Sequence, residues 1–277
     1  MNETLVSSLS GTKPVNFKLD LMEEWRDTLS SYAQEYGNIY IVSDTETTDV
    51  NLFDFSTGFL HRVVEWALCF CYKDKDGYLN LCKDSKDRVI CIDEPINPFI
   101  SDSKSKGKTS VSDMGEGAVD VHGLTVEYLF GEGKSPKNRP MLNPEYGAPT
   151  FSVVMDLLQE ITSSPPLNDG SVLITAVFHN QSFDMKFLNS EAEWISSPPL
   201  ESFFRVEDTM DLVKDVLLKK VNVESHKLDD IYKYGQDNYP ELTSNTDRPY
   251  HSAMVDSLIL VQAYNVIHKA WLEKKNK

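Results

Sequence analysis

Asp44 and Glu46 stand two residues apart, where the run of β-formers Ile39 to Val42 gives way to polar sequence. On extended chain, residues i and i+2 project to the same side. Two carboxylates are thus aimed at one point, where they repel unless a cation lies between them. Oxygen donors of this kind suit Mg²⁺ or Mn²⁺. Asp184 follows a second apolar run, SVLITAVFHN (171–180), near the opening of a helix. Asp256 falls on the flank of the last helix's apolar stripe, about 100° from Val255 at 3.6 residues per turn. An acid beside a buried face is costly unless something cationic compensates it. His251 precedes Asp256 by five residues in the loop RPYHS. From there a histidine reaches the same cleft without being wedged into the core.

The elements that position these groups are legible in outline. Residues 39–42, 63–72 and 78–82 read as strands, the last two joined by a hairpin at Asp76-Gly77, and 89–100 adds extended chain. Thr125 caps a short helix within 119–130. FSVVMDLLQEI (151–161) is helical and the SPP at 164–166 ends it. Residues 171–180 are a buried strand, with a helix around Phe183–Leu188. Two further helices cover 210–220 and 226–235, the second stopped at Gly235. The last helix carries Val255, Leu258, Ile259, Gln262, Ala263 and Val266 at helical spacing. This order gives an α/β fold whose mixed sheet opens antiparallel and then continues with helix–strand alternation.

The first 37 residues stand apart as an N-terminal extension. From Phe17 to Tyr36 the apolar positions Leu19, Leu21, Met22, Trp25, Leu29 and Tyr32 share one helical face, and Gly37 stops it. That helix packs either on the main domain, 38–277, or on a partner. Within the domain, 101–118 is Ser/Lys/Gly-rich, and 131–149 holds four prolines and three glycines. Both read as loop insertions flanking VHGLT (121–125), either a lid or strand guide or simply surface loops. Cys69, Cys71, Cys82 and Cys91 form no CxxC pair and read as reduced thiols, with Cys82 opposite Cys71 across the hairpin.

Composition narrows the function classes. The 277 residues are 40% hydrophobic, enough for a substantial core. Lys and Arg number 27 against 43 Asp and Glu, a net charge of −16. A broad basic face for nucleic acid is thereby excluded, while a purposeful carboxylate cluster is not. No apolar run approaches the roughly 18–20 residues that cross a bilayer, and the start lacks the pattern of a secretory signal. A soluble, cytoplasmic protein is expected.

Together, IVSDTETT (41–48), HRVVEWAL (61–68), VHGLT (121–125), HNQSFDMKFL (179–188), HKLDDI (226–231) and HSAMVDSLILVQAY (251–264) resemble the DnaQ-like exonucleases with the DEDDh signature. The likeness spans residues 38 to about 270, and DTETT brings it nearest the proofreading subunits of bacterial and phage replicases. It implies a ribonuclease H-like fold and hydrolysis of the 3′-terminal phosphodiester by two divalent metal ions, releasing nucleoside 5′-monophosphates. Carried over residue by residue, Asp44, Glu46 and Asp256 hold the first metal. Asp44 bridges to the second, to which Asp184 contributes directly or through water, and His251 is the general base. The resemblance also brings Thr47 beside the terminal nucleotide and His122 near the substrate strand. Asn180 and Phe183 either orient the HNxxFD turn and touch substrate or serve as helix cap and core aromatic. Glu65 reads as a solvent-facing strand residue, with a site-facing acid as the alternative.

The expected activity is a Mg²⁺- or Mn²⁺-dependent 3′→5′ exonuclease on single-stranded DNA or frayed 3′ ends, with exoribonucleolytic trimming of RNA as the alternative. A binding module that kept the fold and lost catalysis is disfavoured, since all four acids and the histidine are present. The chain ends in LEKKNK, with none of the tether by which a replicase proofreading subunit grips its polymerase. A polymerase or other replication or repair partner is therefore expected at the N-terminal helix.

Overall fold

The computed structural model describes residues 19–56, 58–100, 114–115, 117–136, 139, 141–216, 226–244 and 251–276. The sequence start to residue 18, most of the 101–118 stretch, the end of the helix expected at 210–220 and the RPY before His251 lie outside the described residues.

Strands β1 (Ile39–Thr47), β4 (Val63–Lys73), β5 (Leu79–Leu81), β6 (Cys91–Pro95), β7 (Ile174–Phe178) and β8 (Arg205–Asp208) form one sheet. Its order is β5-β4-β1-β7-β8, with β6 also on β4. The β1–β4, β4–β5 and β4–β6 pairs are antiparallel, whereas β1–β7 and β7–β8 are parallel. An antiparallel opening followed by parallel strands, flanked by helices, is the ribonuclease H-like arrangement expected. A small hairpin, β2 (Phe53–Asp54) with β3 (Phe59–Leu60), stands outside that sheet.

The two faces of the sheet bury different helices. On one, Ile39, Ile41, Trp66, Leu68 and Phe70 join Met22, Trp25 and Leu29 of α1 (Leu19–Tyr36). Phe151, Val154 and Leu158 complete that layer from α4 (Phe151–Ile161), which follows the short helices α2 (Ala118–His122) and α3 (Val126–Leu129). The N-terminal helix therefore packs on its own domain. Its exposed face carries Glu23, Asp27, Ser31 and Gln34. Thr125 caps α3 as expected, its side chain accepting from the Tyr128 N–H.

On the other face, Val42, Cys69, Cys71 and Val177 meet Leu260, Val261 and Tyr264 of α8 (Ala253–Lys275). Asp44 and Glu46 follow Val42 by even steps, so pleat alternation turns them toward this helix. α8 is buried on two sides. Its Ala263, Val266, Ile267 and Ala270 pack on α6 (Thr209–Val216) and α7 (Leu228–Asn238). This explains why Leu260, Val261 and Tyr264 are buried in addition to the expected stripe, and why Asp256 is buried and not on a flank.

Two local expectations are corrected. α7 runs through Gly235 to Asn238. A Cβ at Gly235 would stand 2.6 Å from Val266 Cγ2, so the glycine serves close helix approach and not termination. Cys71 pairs with Leu81, while the Cys82 N–H bonds to the Phe70 carbonyl; all four thiols are free. Leu228 to Asn238 and the rest of the described helices include none long and apolar enough to cross a membrane.

Candidate active site

The parallel pairing of β1 with β7 brings their C-terminal ends to the same edge, the usual place for ligands in such sheets. From β1 come Asp44 and Glu46. From α5 (Gln181–Trp194), which opens just after β7, comes Asp184 in the first turn. The connection turns sharply at Asn180, a non-glycine residue at φ 69°. Asp208, at the end of β8, fixes that turn by accepting the N–H groups of Asn180 (3.1 Å), Gln181 (3.1 Å) and Met210 (2.8 Å). The Asn180 side chain accepts from the Ser182 hydroxyl and makes no backbone cap bond. Asp184 is buried and its Oδ1 accepts from Thr45, at 2.8 Å from the hydroxyl and 3.1 Å from the backbone N–H.

The first turn of α8 delivers Asp256 above the sheet, and His251 lies just before the Ser252 N-cap position. His251 Nδ1 stands 3.2 Å from Asp256 Oδ2, and the histidine side chain is 47% exposed. Ligand-capable atoms of Glu46, His251 and Asp256 all fall within 4.8 Å of one another. Asp44 and Asp184 adjoin this trio, and their charges act on it.

The electrostatics are those of a crowded anion cluster, which the nearby Arg139 charge relieves only in part. Burial, reinforced by Asp184, Asp256 and Glu46, pushes the Asp44 carboxyl well above its ordinary range. Burial and the neighbouring Glu65 and Asp256 do the same to Glu46. Burial raises Asp184 to about 7 against the Thr45 hydrogen bonds, which act to lower it. Glu46 Oε1 is buried with no hydrogen-bond partner among the described residues. A buried carboxylate oxygen without a donor is costly. The all-oxygen carboxylate set, with an imidazole at its rim, is the donor chemistry that binds a divalent cation.

A cleft of about 400 Å³ opens beside the cluster, lined by Thr45, Glu46, Thr47, Val121, His122 and Phe183 among others. Three of the four residues expected at substrate, Thr47, His122 and Phe183, thus share one cleft with Glu46. Asn180 is not among its lining residues; it holds the turn that starts α5. His122 is buried and its imidazole is lowered to about 4, chiefly by burial. Its Nδ1 accepts the Leu124 N–H and its Nε2 lies 3.3 Å from the Thr47 carbonyl, which fixes a neutral ring protonated on Nε2.

Glu65 corrects the reading of a solvent-facing residue. It is buried directly opposite Glu46 in the β1–β4 register. Its carboxylate accepts the Ala253 N–H at the start of α8 and is gripped by Arg139. Arg139 comes from the 131–149 stretch, expected to be either a lid or strand guide or simply a surface loop, and through this arginine the stretch reaches the site. Nothing in a Pro/Gly-rich segment marks one arginine as buried. Asp208 was likewise hidden in RVED, a strand too short and too polar to announce itself.

No protein-family model and no curated protein sequence matches the chain. Solved structures do match. The nuclease domain of 3′hExo, a DEDDh family member, bound to rAMP, is similar at 12% identity with a TM-score of 0.51. That match covers 84% of this chain and 92% of the other. A 3′-exonuclease described in 3′-end specific recognition of a histone mRNA stem-loop is similar at 11% identity with a TM-score of 0.52. It covers 84% of this chain and 82% of that one. At such identities the likeness establishes the fold, which is that of these nuclease domains.

Proposed function

We propose that this chain is a metal-dependent 3′→5′ exonuclease that removes nucleoside 5′-monophosphates from single-stranded DNA or frayed 3′ ends, in proofreading, repair or degradation. One observation carries the reading. Glu46, His251 and Asp256 bring ligand atoms within 4.8 Å of one another, Asp44 and Asp184 act on Glu46 or on each other through their charges, and one buried Glu46 oxygen has no donor among the described residues, in a fold shared with DEDDh nuclease domains.

In this reading Asp44, Glu46, Asp184 and Asp256 would hold the divalent ions, Mg²⁺ or Mn²⁺. Such ions would supply stabilisation of the attacking and leaving oxygens of an in-line phosphodiester displacement. The remaining tasks fall to side chains. With Nδ1 turned to Asp256, the His251 imidazole uses Nε2 to take the proton of the attacking water. The neighbouring carboxylate stabilises the imidazolium so formed. Phe183 offers a ring to the terminal base at the cleft wall. Thr47 and His122 shape that wall beside the terminal nucleotide, with His122 kept neutral. An acidic protein gripping only a few nucleotides needs no long basic track. With the apolar face of α1 spent in the core, a polymerase or repair partner would dock on its polar face.

A second reading, exoribonuclease, is favoured by the similar structures, one bound to rAMP and one concerned with histone mRNA. Matched 5′-labelled single-stranded DNA and RNA oligomers, incubated with Mg²⁺, Mn²⁺ or chelator, test both. The expected result is a ladder shortening from the 3′ end, lost with chelator and faster on DNA. Faster shortening of RNA selects the second reading, and intact oligomers of both kinds with metal present refute both.

A further inference from the structure

Arg139 contacts three separate parts of the site at once. Its Nε and Nη2 grip both Glu65 oxygens, at 2.8 and 2.7 Å. Nη1 donates to the His122 carbonyl, and Nη2 lies 3.4 Å from the carbonyl of His251. The two side chains are only 5% and 3% exposed. Four of the five N–H groups of a guanidinium are thus directed to protein acceptors. That leaves almost none of the fork for a substrate phosphate, although an arginine near a nuclease cleft would ordinarily be given that task.

The three partners are the parts whose relative placement matters. Glu65 faces Glu46 across the β1–β4 ladder and also holds the Ala253 N–H at the start of α8. His122 forms the cleft wall. His251 carries the imidazole beside Asp256, and its N–H donates to the Val121 carbonyl at 3.0 Å. Among the described residues no regular element joins the 121–123 segment to the 251–253 segment, and both Arg139 and the His251–Val121 backbone bond span the gap.

We propose that Arg139 is a positioning residue whose guanidinium locks the His251 segment to the cleft wall and to Glu65, and so sets where the imidazole stands over the carboxylates. The structural half of this stands by itself, while its kinetic half rests on the exonuclease reading. An ammonium cannot replace the fork, because lysine offers a point charge where three directions are needed.

The test uses the full chain with Arg139→Ala and Arg139→Lys, read by amide hydrogen exchange, thermal melting and steady-state kinetics on the 5′-labelled oligomer. In Arg139→Ala, exchange at 251–253 and 122–124 should accelerate about tenfold or more while the central strands stay protected. Turnover should fall about 100-fold, with KM within about threefold, as expected for a misplaced group. Arg139→Lys should melt near the parent temperature yet recover little turnover, and it supplies the comparison if the alanine variant does not fold. Unchanged exchange at 251–253 in the folded variants overturns the proposal. So does a loss confined to KM, which would make Arg139 a substrate ligand, or full rescue by lysine, which would reduce it to a charge. If the parent itself cleaves no oligomer, the exonuclease reading falls, and the exchange result still decides the lock.

Discussion

Asp184 and Glu191 lie seven residues apart on α5, so they share one helix face, and both are buried against the sheet. Their surroundings differ completely. Glu191 receives Arg62 through two bonds, at 2.6 and 2.7 Å, and the Val63 N–H at 3.1 Å. The same guanidinium lies 4.0 Å over the Trp194 ring. Two turns toward the helix start, Asp184 has no cationic partner among the bonds of the described residues; it accepts from the Thr45 hydroxyl and N–H and adjoins Asp44 and Glu46, with its carboxyl held up to about 7 by burial. One end of the helix closes its charge completely, and the other leaves anions facing one another. A fold that can place arginine so well at Glu191 is not short of means to do so at Asp184. On the proposed reading the open end is the end kept for a cation, at a cost in stability that the closed end does not bear.

The sharpest way to break this contrast is Glu46→Gln. Loss of an acid that faces the metal position should cut hydrolysis by about 100-fold or more, since even partners behind a metal ligand are worth 10–100-fold. Because the variant relieves like-charge repulsion, its metal-free melting temperature should rise. A lower melting temperature would mean that the cluster is a structural network and not an open site. Glu191→Ala should do the reverse. It strands a buried Arg62 and should lose about 3–5 kcal/mol of stability by denaturant titration. Activity per folded molecule should hold, and a selective loss of turnover would erase the distinction between the two ends.

This contrast was only half legible beforehand. Asp44, Glu46, Asp184, Asp256 and His251 could be singled out as candidates because they stand near junctions where an apolar run meets polar sequence, and the family resemblance joined them into one set. Glu65 could not. Its strand reads VVEWALCFCY, buried from Val63 through Cys71, and such a run has no polar alternation to say which way one acid points. Arg139 was masked by its Pro/Gly-rich context, where composition predicts surface. β8 is four residues, RVED, whose backbone pairs with β7 while its side chains stay partly exposed. α8 lost its expected single stripe because it is covered from two sides, and Gly235 resembled a stop because helix approach and helix termination both select glycine. Local pattern thus reports the helices and strands, but not which neighbour a tertiary contact supplies.

A pH series sharpens the contrast with a smaller effect. The folded state holds the Asp184 proton up to about pH 7, whereas the unfolded carboxyl loses it near the ordinary carboxylate value of 3.8. Between those values the folded state binds more protons, so this group's contribution makes stability fall as pH rises through the window and level off above it. In chelator, Asp184→Asn should therefore melt higher than the parent at pH 7.5 and differ little at pH 4. Mg²⁺ at pH 7.5 should raise the parent's melting temperature by binding the ionised cluster. Equal pH profiles for parent and variant would place the strain elsewhere than at Asp184.

Thr45→Val should give the smallest effect, and it separates two ways in which the open end is arranged. The hydroxyl donates to Asp184 Oδ1 at 2.8 Å, while the backbone N–H of the same residue supplies the other bond and survives substitution. Valine keeps the shape and the β-branch that suits a strand. Loss of one of two donors should weaken cation binding by about tenfold, measured by Mn²⁺ titration, with the melting temperature little changed because buried apolar contact replaces the lost bond. Thr45→Ser, which restores the hydroxyl without the methyl, should recover the affinity. If valine binds Mn²⁺ as well as the parent does, the backbone N–H alone orients Asp184. The orientation of the carboxylate would then be a property of the β1 backbone, and the threonine would owe its place to packing.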